Sequence, residues 1–283
     1  MELGEVKQKA KDIRLIALDM DGTCLNAQGR MTPRTTAVIR GLVEKGYIVV
    51  PSTGRGFETL RERVIGVPEI RYVISNNGAI ITDGVTRERL IERDIPREDA
   101  AALVLGVLDH EGTCLHWDCG ESYEIPLPVG CVSAEAYKQH YGEQEGRWVL
   151  PPEEMYRWVL ECGKRFFKMG LRFSRENGFE YYGKLIHRDF PQIDCFRSGI
   201  QYEVVRKGVN KGVALKALCA HLGLPAQAVC AMGDNGNDVD MIDFAGLGVT
   251  VENGIEEAKA KADYIAGHHD REGAAAFLET VFL

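Results

Sequence analysis

Short apolar runs that end on oxygen-bearing residues, and then give way to helical patterns, constrain this chain more than any other feature. Ile13 to Leu18 is an apolar run with one polar break, and Asp19-Met20-Asp21-Gly22-Thr23 follows it directly. Thr32-Pro33 then opens a helical pattern with apolar positions at Ala37, Val38 and Val43 and with Gly46 at its end. Proline just inside the start and glycine at the close are the punctuation of a helix. Tyr47 to Val50 reads as the next strand and runs on into Ser52-Thr53-Gly54-Arg55. Residues 56–65 read as helix, and Tyr72 to Ile74 is a third strand, ending on Ser75-Asn76-Asn77-Gly78. Strand, helix and strand at this spacing predict an α/β fold, a parallel sheet covered by helices.

The same rhythm returns toward the C-terminal end. Tyr202 to Val205 reads as a strand, 210–222 as a helix, Ala228 to Met232 as a strand and 237–244 as a short helix. Residues 246–251, 254–261, 263–266 and 272–281 continue as strand, helix, strand and helix. Between the two blocks the pattern changes: strands at 113–118 and 165–169 mix with helices at 97–110 and 133–141, and Pro151-Pro152 marks a turn. The expectation is a Rossmann-like, doubly wound core built from residues 1–83 and 191–283, interrupted by an α+β domain at 84–190. A chain of 283 residues also suggests about two domains by length alone.

In open parallel sheets, ligands bind outside the carboxyl ends of the strands, so the residues that follow each strand carry the functional information. The strand ending at Met232 runs into Gly233-Asp234-Asn235-Gly236-Asn237-Asp238, and Lys207 and Lys211 flank the start of the 210–222 helix. A calcium loop is excluded, because the twelfth positions counted from Asp19 and Asp234 are Arg30 and Ala245 where a glutamate is required. A phosphate-binding P-loop at Gly178 to Leu185 is excluded too: Leu185 stands where a hydroxyl should hold magnesium, and the run's interior is aromatic. Asp19, Asp21 and Asp234 at neighbouring strand ends would repel one another unless a cation lay among them. Oxygen donors without His or Cys suit a hard ion, magnesium foremost. A hydroxyl at Thr53 and an ammonium at Lys211 are what the oxygens of a transferring phosphoryl group require.

Charge and composition remove other classes. The formal net charge of −8 argues against affinity for a nucleic-acid backbone but leaves room for a small anionic substrate in a local basic pocket. No apolar run approaches the length needed to span a bilayer, and the charged start MELGEVKQKAKDIR lacks the apolar centre of a secretory signal. The eight cysteines form no Cys-x-x-Cys pair, which argues against zinc and for reduced thiols in the cytoplasm.

Taken together, Asp19-Met-Asp21-Gly-Thr23, Thr53-Gly-Arg55, Asn76-Asn77-Gly78-Ala79, Lys207-Gly-Val-Asn-Lys211-Gly-Val-Ala-Leu and Gly233-Asp234-Asn-Gly-Asn237-Asp238 resemble the haloacid dehalogenase superfamily. Within it they are similar to the Cof-type sugar-phosphate phosphatases, which carry a large cap between the second and third motifs. The resemblance runs from about residue 13 to 275. It implies a phosphatase, with Asp19 as the nucleophile that forms an aspartyl phosphate and Asp21 as general acid and base. It implies magnesium at Asp19, at the Asp21 backbone carbonyl, at Asp234 and at Asp238. Thr53 and Lys211 would hold the phosphoryl oxygens; Lys207 is the rival for the lysine's role. Asn237 and Asp238 would orient the site from the side, with Asn237 also a substrate-binding candidate, while Arg55 and Asn76 either contact the substrate or brace the site. Cys24 departs from the family's usual Leu and reads as a packing residue.

The inserted region is expected to choose the substrate. Within 163–190 seven basic residues stand against three acidic ones, and Lys184 and Arg188 lie nearest the return to the core, as candidate contacts to an anionic leaving group. The expected partner is a small phosphorylated metabolite, a sugar phosphate or a phosphorylated vitamin intermediate, acted on by a monomer or homodimer without nucleic acid or membrane. A phosphomutase or phosphotransferase using the same nucleophile, and a non-catalytic phosphometabolite-binding protein, are the alternatives.

Overall fold

A computed structural model describes residues 1–58, 60, 67, 69–107, 114–118, 123–128, 147–150, 152–172, 178–198 and 201–283. It forms two compact units, residues 1–92 with 210–283 and residues 93–209. Strands and helices are numbered along the chain.

The first unit holds an eight-stranded sheet. Its strands are β1 (Leu15–Asp19), β2 (Ile48–Ser52), β3 (Tyr72–Ser75), β4 (Ile80–Asp83), β5 (Arg89–Glu92), β12 (Val229–Gly233), β13 (Leu247–Val251) and β14 (Tyr264–Ala266), in the order β14-β13-β12-β1-β2-β3-β4-β5. β1 lies between β12 and β2 and is parallel to both, Leu15 pairing with Val229 on one side and Ile48 on the other. Every residue of β1 is buried, as a strand covered on both faces requires. On one face Ile16 and Leu18 pack with α1 (Leu3–Ala10), α2 (Pro33–Glu44) and the C-terminal helix Gly273–Phe282 through Val6, Val38, Leu42, Phe277 and Leu278. On the other, Leu15, Ala17 and Ala231 meet Ala214, Leu215 and Leu218 of the helix Lys211–Leu222. The helix ends follow the sequence's punctuation: Thr32 caps α2 ahead of Pro33, and Asn210 caps Lys211–Leu222, which closes on Gly223 at φ +66°.

The second unit has its own sheet, β6 (Cys114–Asp118), β7 (Tyr123–Pro128), β8 (Arg147–Leu150), β9 (Lys168–Arg172), β10 (Ile193–Ser198) and β11 (Gln201–Arg206), ordered β10-β11-β9-β6-β7-β8. Helices α3 (Arg97–Val107), α4 (Pro152–Glu161) and α5 (Gly178–Asp189) supply Val104, Met155, Val159, Tyr182 and Ile186 to its core, packed with Met169, Leu171 and Val204. The other α-helices whose full bounds lie among the described residues are α6 (Lys211–Leu222), α7 (Val239–Phe244), α8 (Glu256–Lys261) and α9 (Gly273–Phe282).

The α/β core with an inserted α+β unit is as expected, but its edges differ from 84 and 190. β4 and β5 extend the first sheet as antiparallel strands, so the first unit continues through Glu92. The strand expected at Tyr202 to Val205 is β11, which pairs antiparallel with β10 and β9 in the second sheet and carries that unit to Val209. The strand expected at 165–169 lies at Lys168–Arg172, and Pro152 is the first residue of α4, where its fixed φ suits a helix start. The run from Gly178 opens α5, consistent with its rejection as a phosphate loop. The helix expected at 133–141 and most of that at 56–65 lie outside the described residues.

One close approach ties a strand-end turn to α6. Gly78 has φ +96°, and a Cβ there would lie 2.3 Å from the Asn210 carbonyl oxygen. Gly78→Ala is therefore expected to destabilise by on the order of 2–4 kcal/mol, combining left-handed strain with overpacking against backbone. Thermal unfolding measures it, and a melting temperature equal to the parent's would show that the turn yields without cost.

Candidate active site

The C-terminal ends of β1, β2, β3 and β12 bring most of the expected residues together. Asp19 ends β1 and is 4% exposed. Lys211, the first residue of α6 and fully buried, donates to Asp19 Oδ1 at 2.5 Å and to Asp238 Oδ1 at 2.6 Å. The other Asp238 oxygen accepts the backbone N–H groups of Asp234 and Asn235, at 3.1 and 3.0 Å. Asp238, expected among the metal residues, has both oxygens engaged in holding Lys211 and the Asp234 turn. Thr23 donates its hydroxyl to Asp234 Oδ1 at 3.0 Å. Gly22 makes this possible: at φ +84°, a Cβ would lie 2.5 Å from Asp234 Oδ2.

The electrostatics follow from burial. Asp19 is held well above the usual carboxylate range, first by desolvation and then by Asp238, against the opposing pull of Lys211. Burial and Asp238 also raise Asp234. Burial opposes the charge on Lys211, but Asp19 and Asp238 outweigh it and lift the ammonium above its ordinary value. Cys24, beside this cluster, packs in the core, its thiol pushed up by burial, Asp19 and Asp234. It is a packing residue, as expected.

Asp21 points elsewhere. Its carboxylate takes a two-pronged contact from Arg55, Nε to Oδ2 at 2.8 Å and Nη2 to Oδ1 at 2.6 Å, and its side chain is 50% exposed. Thr53 is buried, with its hydroxyl accepting the Arg55 N–H. The backbone N–H groups of Asn76 and Asn77 donate to the carbonyls of Arg55 and Thr53, which ties the β2 and β3 turns together. Asn76 and Asn77 hold this turn at φ +52° and +57°, a region that asparagine tolerates better than most residues. Asn237 donates to Asn77 Oδ1 at 3.1 Å and so links the β12 turn to the β3 turn.

Lys207 and Lys211 are now separated. Lys207 is 59% exposed and pairs with Asp194 at 3.3 Å, whereas Lys211 touches Asp19. Lys184 and Arg188 belong to α5 of the second unit, where they are exposed and paired with Glu180 and Asp189. Thr23 and Asn77 are not among the expected site residues, although both lie inside the strand-end runs and hold Asp234 and Asn237.

The donor set fits a hard cation. One oxygen each from Asp19, Asp234 and Asp238 lies within 4.8 Å of the others. Asp19 Oδ2 is buried without a hydrogen-bond partner, an arrangement that costs free energy unless a ligand or water completes it. Ser52 Oγ and both polar atoms of the Asn76 side chain are buried and unpartnered at the same sheet edge.

The sequence profile of the haloacid dehalogenase-like hydrolases matches residues 16–278. The chain belongs to this family. Among curated relatives of this hydrolase, a 5-amino-6-(5-phospho-D-ribitylamino)uracil phosphatase of Bacillus subtilis is 27% identical over 277 residues, covering 95% of this chain and 96% of the relative. An HMP-PP phosphatase of Serratia proteamaculans is 29% identical over 273 residues, 94% of each chain. A haloacid dehalogenase-like hydrolase from Bacteroides thetaiotaomicron has the same fold, with a TM-score of 0.79 at 24% identity over 95% of this chain and 100% of that one. The resemblance read from the strand-end residues is borne out, and this haloacid dehalogenase-like hydrolase is an enzyme.

Proposed function

We propose that the enzyme hydrolyses small phosphorylated metabolites, sugar phosphates or phosphorylated vitamin intermediates, through a phosphoryl group carried on Asp19. The observation that carries this reading is the state of Asp19: buried at the end of the central strand, with one oxygen on Lys211 and the other without a partner. The curated relatives' names, a ribitylaminouracil-phosphate phosphatase and HMP-PP phosphatases, support the substrate class.

In this reading an Asp19 oxygen attacks phosphorus and the ester oxygen leaves with a proton from Asp21. Lys211 and Thr53 hold the phosphoryl oxygens, and Asp238 keeps Lys211 aimed. Water then attacks phosphorus, Asp21 takes its proton, and Asp19 is released. Asp21 must part from Arg55 to serve as an acid, because a carboxylate accepting two guanidinium N–H bonds has no proton to give. A divalent cation, magnesium by its all-oxygen donors, would be held by Asp19, Asp234 and the Asp21 backbone carbonyl, next to Asp238, and would neutralise phosphoryl charge. Asn237 and Asn76 brace the turns, and Arg55 is placed to meet a leaving group once it releases Asp21. The second unit serves as the cap that selects the substrate. No described helix is long and apolar enough to cross a membrane, and the setting proposed is the cytoplasm, as monomer or homodimer.

Phosphate release from a panel of phosphorylated metabolites tests the class. Exhaustive chelation is expected to abolish release, magnesium to restore it and calcium to restore it poorly, because calcium tolerates higher coordination and looser geometry. Full activity after chelation would end the metal assignment. The same panel on Lys184→Ala and Arg188→Ala is expected to change the ranking of metabolites while leaving a small aryl phosphate nearly untouched. An unchanged ranking in both would remove these two residues from selectivity.

A further inference from the structure

The loop that carries Asp21 is held from behind by two side chains far from it in sequence. Asn253 Nδ2 donates to the Gly22 carbonyl at 2.8 Å. His269 Nδ1 bonds the Leu25 carbonyl at 2.8 Å, so this nitrogen carries the proton. The two holders are themselves joined, the His269 backbone N–H donating to Asn253 Oδ1 at 3.1 Å. Asn253 stands on a tight turn after β13, and this turn is also fastened to the Asp234 motif, the Ile255 N–H donating to the Asp234 carbonyl at 2.9 Å, while Thr250 of β13 donates to the Gly233 carbonyl at 2.8 Å. One short turn therefore sets both the Asp19–Asp21 loop and Asp234.

The His269 side is equally constrained. Asp270 accepts the Ala27 N–H at 2.8 Å, and Glu272 accepts the Thr32 hydroxyl, so residues 268–272 grip the loop's continuation at two further points. Glu272 is held at φ +57°, a conformation that residues other than glycine seldom adopt. Gly273 follows where a Cβ would overlap the Gly267 carbonyl. Two anchors on backbone carbonyls, joined to each other, define the course of a loop whose own residues Asp21 and Gly22 depart from helical geometry.

We propose that Asn253 and His269 are positioning residues for general acid catalysis: by fixing the Gly22 and Leu25 carbonyls they place the Asp21 carboxyl where it protonates the leaving oxygen. This rests on the reading of Asp21 as the acid. A displaced acid matters for a leaving group that needs a proton and matters little for one that does not, so the two residues act on the leaving-group dependence of turnover and not on affinity.

The test compares kcat and KM for 4-nitrophenyl phosphate, whose leaving group departs unprotonated, with those for an alkyl ester such as a hexose 6-phosphate. Asn253→Asp keeps the acceptor for His269 N–H but sets an oxygen against the Gly22 carbonyl. His269→Ala removes its bond, and His269→Asn supplies an amide N–H at the position of Nδ1. Asp21→Asn is the reference, expected to lower alkyl-ester kcat by on the order of 10²–10⁴ more than aryl-ester kcat. Asn253→Asp and His269→Ala are expected to show the same bias at roughly tenfold to a hundredfold, with KM little changed, and His269→Asn to recover most of it. Should Asn253→Asp fail to fold by circular dichroism, the His269 pair carries the test alone. Equal losses on both esters, or no loss, in folded variants would overturn the positioning role while Asp21→Asn keeps its bias. If Asp21→Asn itself treats the two esters alike, the assignment of the acid fails instead.

Discussion

Asp19→Asn is expected to yield a folded protein whose turnover falls by on the order of 10⁵–10⁶, the scale seen when a nucleophile is removed. The amide preserves the shape of the side chain but cannot form the phosphoryl bond. Folding should survive because burial already penalises the Asp19 charge, and because Lys211 retains Asp238 at 2.6 Å as a counterion. Thermal unfolding should therefore show a melting temperature at or near the parent's, while phosphate release from any ester vanishes. Residual activity within tenfold of the parent would remove Asp19 as the nucleophile. Unfolding of the variant would instead mean that the Asp19–Lys211 contact holds the sheet edge together.

Much of this was legible in the sequence for a physical reason. A central parallel strand must be apolar throughout, so the polar residues at its end are conspicuous. Leu15 to Leu18 followed by Asp19 shows this plainly, and Val229 to Gly233 followed by Asp234 repeats it. What escaped was information that local patterns do not carry. An apolar run such as Tyr202 to Val205 announces a strand, but not the sheet it joins; pairing with β9 and β10 decides that. Pairing likewise decides where the first unit ends, since Arg89–Glu92 lies antiparallel beside β4 and carries that unit past residue 83. Lys207 and Lys211 are four positions apart in one motif, and spacing alone does not show that Lys211 opens α6 buried against Asp19 while Lys207, in the turn before it, pairs with Asp194. Asn253 and His269 lie more than 200 residues from the loop they hold and leave no trace in spacing.

Lys211→Met carries the second large effect, because it strikes stability and turnover by different routes. The ammonium lies between two buried carboxylates, at 2.5 Å from Asp19 and 2.6 Å from Asp238. Removing it leaves those acids facing each other without a cation, a cost of about 3–5 kcal/mol for a broken buried pair. Turnover should fall by on the order of 10²–10³ in addition, the loss expected for one preorganised charge on the phosphoryl oxygens. Lys207→Ala removes an exposed pair of the kind worth about 0–1 kcal/mol, and should change neither quantity appreciably. The two effects of Lys211 can be pulled apart by adding Asp238→Asn to Lys211→Met. Neutralising the stranded acid should return part of the lost melting temperature, since deleting both members of a buried pair costs less than deleting one. Turnover should stay low, because nothing then neutralises the phosphoryl oxygens in place of the ammonium. If turnover returned with stability, Lys211 would be a structural cation, and the charge it provides would have no part in the chemistry.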